Sequence, residues 1–243
     1  MPTPKFERIL NTLEQTYGRL RPAGPSDAYE MIVYLNCGYP ATDASCAKGF
    51  DALKKEVGTS PDQILKAPKS LLAKLMRLGG IVSELRAQRM KGIARKAKME
   101  FGGDLKAAVK RKVRSGQKQD EKNIRGGKKI LQEFPTIGEP SAEKILLFAG
   151  LVPVAAVPSA CVGVPVRLFV GEEGRNYAAD YRVAREILDN GLPISFQARQ
   201  RAYLLLKRHG HVICKRSTPR CAICPVTAEC AYFQREASDQ SVK

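Results

Sequence analysis

Nowhere in the 243 residues does an apolar run approach the roughly 18 needed to span a bilayer. The opening stretch, Met1-Pro2-Thr3-Pro4-Lys5-Phe6-Glu7, lacks the apolar core of a secretory signal. The expectation is a cytoplasmic protein with no membrane partner. No alternating apolar–polar segment of useful strand length is present, which argues against a β architecture, and no fixed period recurs, which argues against a solenoid. Acidic residues are scarce too: 24 Asp and Glu stand against 41 Lys and Arg, for a net charge of +17.

The imbalance is concentrated. Residues 86–129 hold sixteen basic side chains and only four acids, Glu100, Asp104, Asp120 and Glu121, which accounts for +12 of the total. A local positive field of this kind favours a polyanion, and nucleic acid is the commonest inside a cell. A solvated basic surface kept for solubility is the plainer alternative. Without a stacking-platform motif, RNA is the weaker nucleic-acid reading.

What is present reads as helix after helix, so the expected fold class is all-α. Phe6, Ile9, Leu10, Leu13 and Tyr17 share one helical face that Gly18 ends. Ser26 or Asp27 offers the next cap, for a helix through Tyr29 and Ile32 that stops near Gly38. Thr42 or Asp43 offers another, and Ser60-Pro61 and Pro68 open two short helices before the Gly79-Gly80 break. Further helices are predicted through Leu85, Met90 and Ile93, and over 105–113, 128–134, 140–148, 177–188 and 195–208. Residues 114–127 read as a mobile polar loop, 152–174 as a loop, and 236–243 as a disordered tail.

Seven cysteines are present, and in a reducing compartment they are not expected to pair. Cys214, Cys221, Cys224 and Cys230 are spaced C-x6-C-x2-C-x5-C, so four soft thiolates lie within 17 residues and can wrap a compact metal centre. Pro219 and Pro225 keep that segment non-helical, and Gly210 is expected to end the helix before it. Spacing alone leaves zinc and iron–sulfur both open. His209 reads as a helix C-terminal cap, since four cysteines already complete a ligand set. Cys37, Cys46 and Cys161 read as small buried hydrophobes.

Residues 128–134, the turn Pro135-Thr136-Ile137-Gly138, and the helix from Pro140 form a helix, a tight turn and a helix. Such a turn can present backbone N–H groups to a phosphate without reading a base. An ordinary helical hairpin is the structural alternative.

Two motifs together carry a resemblance. The cysteine spacing, preceded by Leu204-Leu205-Leu206-Lys207-Arg208-His209-Gly210, resembles the cluster loop of the endonuclease III family, within the helix-hairpin-helix DNA glycosylase superfamily. Phe134-Pro135-Thr136-Ile137-Gly138-Glu139-Pro140-Ser141-Ala142 is similar to that superfamily's hairpin, whose turn reads Pro-Gly-hydrophobic-Gly; Thr136 replaces the first glycine. Segments 29–53 and 176–208 match as well, so the likeness covers most of the chain.

The resemblance implies a two-lobed fold, with a helical barrel over 24–150 that ends in the hairpin. It implies a cluster lobe from 1–23 with 151–232, and a tail over 233–243. It further implies a [4Fe–4S] cluster on the four cysteines, a monomer, and double-stranded DNA, damaged or abasic, as partner, hence a nucleoid association in a bacterium. The implied DNA contacts are Pro135, Thr136, Ile137 and Gly138 of the turn, Lys110, Arg111 and Lys112 of the basic helix, and Lys215, Arg216 and Arg220 between the cluster ligands.

The chain departs from the family at its two catalytic positions. Pro140 stands where the lyase lysine is expected and Pro158 where the aspartate is. Proline has neither amine nor carboxylate, so neither role carries over. Substitutes within reach in sequence are Glu139, Asp43, Tyr39 and Lys144, with Ser159 beside the second proline. The implied function is a base-excision-repair protein, at most a monofunctional glycosylase without AP lyase activity. The alternative is an inactive module that keeps fold, cluster and DNA or lesion binding.

Overall fold

The computed structural model describes residues 3–38, 42–114, 121–174 and 176–241. Their α-helices are α1 (Pro4–Tyr17), α2 (Ala28–Gly38), α3 (Asp43–Glu56), α4 (Pro61–Lys66), α5 (Lys69–Met76), α6 (Ser83–Phe101), α7 (Leu105–Arg114), α8 (Glu121–Gln132), α9 (Glu139–Phe148), α10 (Gly163–Phe169), α11 (Tyr177–Gly191), α12 (Phe196–Val212) and α13 (Ala231–Ser241). Among the described residues there is no strand, and none of these helices is long and apolar enough to cross a membrane. The all-α expectation holds.

The helices sort into two compact units, Ala23–Val152 and a second made of Met1–Pro22 with Pro153–Lys243. In the first, α2 is buried along its whole length except Glu30. It starts where sequence places it, because the Asp27 carboxylate accepts the Tyr29 and Glu30 amides at 2.9 and 3.1 Å. Thr42 caps α3 through the Ser45 amide, and Ser60 with Gln63 closes a capping box on α4. At the other end of α2, the buried Arg86 guanidinium donates to the carbonyls of Asn36 and Gly38 and to that of Ile81. It thereby satisfies acceptors that a helix C-terminus otherwise leaves open.

In the second unit, Phe6, Ile9, Leu10 and Leu13 of α1 bury one stripe against Val164, Val166 and Leu168 of α10, Leu188 of α11 and Leu205 and Leu206 of α12. Each such side chain contributes on the order of 2 kcal/mol by leaving water. Glu14 and Arg201, 2.6 Å apart, pair α1 with α12 at the edge of that stripe.

Four sequence expectations are corrected. The reading of 114–127 as a loop fails at Arg114, which ends α7, and from residue 121 onward, where α8 begins at Glu121; residues 115–120 lie outside the described residues. Its Gly127 serves packing and does not break the helix: a Cβ there would meet Val113 Cγ1 at 2.5 Å, so glycine permits the close approach of α7. Segment 152–174 contains α10, whose apolar residues belong to the core, and α13 runs across most of the expected tail, to Ser241. Gly210 lies inside α12, which continues to Val212; a Cβ there would sit 2.6 Å from Cys161 Sγ, so close packing again explains the residue.

Candidate functional site

In the Ala23–Val152 unit, α8, the turn and α9 make the expected hairpin. Buried Phe134 and Ile137 anchor the turn, and the Ile137 amide donates to the Phe134 carbonyl at 3.3 Å. Gly138 is the N-cap of α9, with Pro140 in its first turn, where a missing N–H costs nothing. Thr136 adopts φ +64°, a left-handed conformation that a β-branched residue rarely holds, and its hydroxyl is buried without a hydrogen-bond partner. From α2, the buried Asn36 side-chain amide donates to the Pro135 carbonyl at 3.0 Å.

Two side chains that sequence reading passed over lock the hairpin. Lys128 of α8 is buried, and its ammonium lies 2.6 Å from Glu139 and 3.0 Å from Glu143, both on α9. The Glu143 side chain is only 2% exposed, whereas Glu139 is 46% exposed. Lys128 was legible only as one of many lysines; a pair separated by fifteen residues leaves no periodic trace.

The substitute catalytic residues divide as follows. Glu139 is the first residue of α9 and is tied to Lys128, which gives it a structural role besides any chemical one. Lys144 is half-buried one turn along the same helix. Asp43 opens α3, and its carbonyl accepts the Tyr34 hydroxyl at 2.9 Å. Tyr39 lies outside the described residues. Pro158 is extended and precedes a short 3-10 turn over Ser159–Cys161.

Lys110, Arg111 and Lys112 are exposed on α7, as a basic contact surface requires. The junction before α6 adds an apolar feature: Ile81 is 83% exposed, and Val82 beside it is held at φ +55°. An exposed isoleucine next to a strained β-branched residue leaves no pattern in the sequence.

In the second unit, Cys214, Cys221, Cys224 and Cys230 line one pocket with Arg167, His209 and Tyr232, and none is in a disulfide. Arg167 donates to Cys214 Sγ at 3.7 Å and to the carbonyls of Lys215 and Arg216 at 2.9 and 2.6 Å, binding the loop to α10. Its guanidinium also pairs with Glu173 at 2.5 Å. Lys215 is half-buried, while Arg216 and Arg220 are exposed between the ligands.

Burial pushes the Cys224 thiol up to about 11 and raises Cys214 and Cys221 too, so these sulfurs would ionise through a bound metal. Among the described residues, no three His, Cys, Asp or Glu side chains close round one point to hold a single ion. Four soft donors round one pocket, beside a guanidinium, nonetheless suit an anionic cluster bound through thiolates.

His209 does not act as a helix cap through its ring. It is buried, accepts or donates at Nδ1 with the Tyr17 hydroxyl at 2.9 Å, and meets Cys224 Sγ at 3.7 Å through Nε2. Burial lowers its pKa to about 4, so the ring is neutral, and raises that of Tyr17 to about 12. Cys37, Cys46 and Cys161 are buried, as expected.

Solved structures of one class share this arrangement of helices, the DNA glycosylases with a helix-hairpin-helix. A thermostable thymine-DNA glycosylase superposes with a TM-score of 0.71 over 95% of this chain and 97% of its own, at 20% identity. A non-covalent endonuclease III–DNA complex gives 0.70 over 98% and 100%, at 16% identity. A 3-methyladenine DNA glycosylase of H. pylori bound to 1,N6-ethenoadenine gives 0.53 over 86% and 94%, at 19% identity. The fold is therefore that of endonuclease III. No protein-family model matches the chain, and no curated protein sequence does.

Proposed function

We propose that this protein binds double-stranded DNA in base-excision repair, as a member of the endonuclease III group, and is at most a monofunctional glycosylase without AP lyase activity. The observation that carries the reading is Pro140 in the first turn of α9, two residues after the hairpin's Gly138. The phosphate-binding turn is kept, while the residue from which a lyase would attack the sugar has no free amine. A flipped base would then be released by water, activated by a carboxylate such as Glu139 or Asp43.

Contacts to the duplex come from 135–138, from Lys110, Arg111 and Lys112, and from Lys215, Arg216 and Arg220, all of which hold phosphate and specify no base. The exposed Ile81 suits insertion between base steps, as apolar wedges do in duplexes that are opened. The four cysteines hold a [4Fe–4S] cluster, which when bound ties their loop into one rigid piece. We place the protein in the cytoplasm, as a monomer.

A second reading, an inactive DNA- or lesion-binding module, is favoured by one observation: Glu139, the substitute nearest the hairpin, is engaged by Lys128. Base release from damaged duplexes, followed by alkali to cut abasic sites, separates the two. Release that is lost in Glu139→Gln or Asp43→Asn supports the glycosylase. Binding without release from any lesion supports the module.

A further inference from the structure

Tyr17 closes α1, His209 lies in the last turn of α12, and the two stand in line with a cysteine of the metal loop. The Tyr17 hydroxyl is 2.9 Å from His209 Nδ1, and His209 Nε2 is 3.7 Å from Cys224 Sγ. We propose that Tyr17 and His209 form a hydrogen-bond relay onto Cys224 that raises the reduction potential of the cluster. The inference rests on the reading above that the four cysteines hold one.

The direction of the relay follows from donor and acceptor counts. A neutral imidazole has one N–H and one lone pair, and which nitrogen carries the hydrogen is set by the partners on either side. A ligating Cys224 is a thiolate and can only accept, so Nε2 carries the hydrogen and donates to sulfur. Nδ1 must then accept, and the Tyr17 hydroxyl is its donor. In the metal-free chain the Cys224 thiol can donate to Nε2 instead, Nδ1 carries the hydrogen, and tyrosine accepts. The same two contacts therefore serve both states, and ligation fixes the tautomer.

An N–H aimed at a coordinating sulfur stabilises the extra negative charge of the reduced cluster, which moves its potential upward. The tyrosine bond at the far nitrogen holds the ring in place and polarises that N–H, as outer-sphere partners of ligands commonly do. Cys214 is supported separately, by Arg167, so the relay acts on one ligand. Tyr17 and His209 are thus positioning residues: they touch a ligand and no substrate.

The test is a redox titration of purified wild type, Tyr17→Phe and His209→Leu, each first assayed for iron and sulfide. The expected result is loading equal to wild type with a potential shifted negative in both variants, further in His209→Leu. A hydrogen–deuterium exchangeable coupling to the reduced cluster should also be present in wild type and lost in His209→Leu. Should His209→Leu fail to fold or load, Tyr17→Phe decides alone, since it removes one oxygen from a half-buried helix end. Loaded variants that titrate at the wild-type potential, or above it, overturn the relay and leave the cluster standing. A wild type that binds zinc or no iron overturns the cluster reading, and the relay with it.

Discussion

The Asn36 side-chain amide holds the Pro135 carbonyl at 3.0 Å, and so a buried residue of α2 fixes the first residue of the hairpin turn. Its other donor contact is to Ile32 at 3.0 Å, one turn back in its own helix. With Pro135 held in this way and Phe134 and Ile137 buried on either side, Thr136 cannot relax out of its left-handed conformation. A non-glycine residue there costs on the order of 1 kcal/mol, and its buried hydroxyl without a partner adds to that. Thr136→Gly should therefore raise stability by about 1 kcal/mol even after the glycine's extra unfolded-state entropy is counted. Thermal unfolding should show a midpoint higher by about 2–4 °C; an unchanged or lower midpoint would mean the strain is absent in solution.

The Lys128–Glu143 pair predicts the reverse sign. Lys128→Met leaves the Glu143 carboxylate buried without its cation, a loss on the order of 3–5 kcal/mol. The double variant Lys128→Met with Glu143→Met removes both charges and should recover most of it. Denaturant unfolding of the three proteins measures the coupling, and additive losses would show that the pair is not one unit.

For the metal loop, purified protein should be brown, with about four iron and four sulfide per chain. Cys221→Ala should lose both and destabilise the unit that carries the loop. Cys161→Ala, although Cys161 packs against Gly210 of α12, should keep both. Stoichiometric zinc without iron, after anaerobic preparation, would instead mark a zinc site.

Local rules account for what sequence showed of this structure. The apolar spacing of Phe6, Ile9, Leu10 and Leu13 is a helix face whatever it packs on, and Asp27, Thr42 and Ser60 are caps because their oxygens reach amides two or three residues on. Gly210 misled because a glycine that ends a helix and one that admits a neighbouring segment look the same in one dimension, and the start of α8 misled because its polar, charged residues read as a loop. The Lys128–Glu143 and Tyr17–His209–Cys224 contacts join distant segments, so no spacing announces them. The cysteine spacing and the hairpin were visible because each is a contiguous motif, whereas the strain at Thr136 was visible only as a missing glycine.

Duplex binding should be tolerant of sequence and steep in salt, because the proposed contacts go to phosphate. Each phosphate neutralised adds roughly 0.9 to the slope of log affinity against log salt. Replacing Lys110, Arg111 and Lys112 by Ala together, on the exposed side of α7, should lower that slope by up to about three such increments. Measuring affinity across a salt series decides it: an unchanged slope places α7 off the DNA path.

The chemistry at Pro140 gives the sharpest expectation. Strand cleavage by β-elimination begins when an amine attacks the sugar carbon and forms a Schiff base, and a proline nitrogen inside the chain has neither hydrogen nor basic lone pair to do so. Borohydride treatment with abasic or damaged duplex should therefore trap no covalent protein–DNA adduct. Two amines on or against α9 bear on this. Lys128 is buried and engaged by Glu139 and Glu143, which disqualifies it without a rearrangement of the hairpin. Lys144 is half-buried, one turn beyond Pro140, and is the amine best placed to replace the missing lysine. An adduct that forms in wild type and disappears in Lys144→Ala, while Lys128→Met retains it, would make this protein a lyase with a relocated nucleophile. It would also overturn the monofunctional assignment.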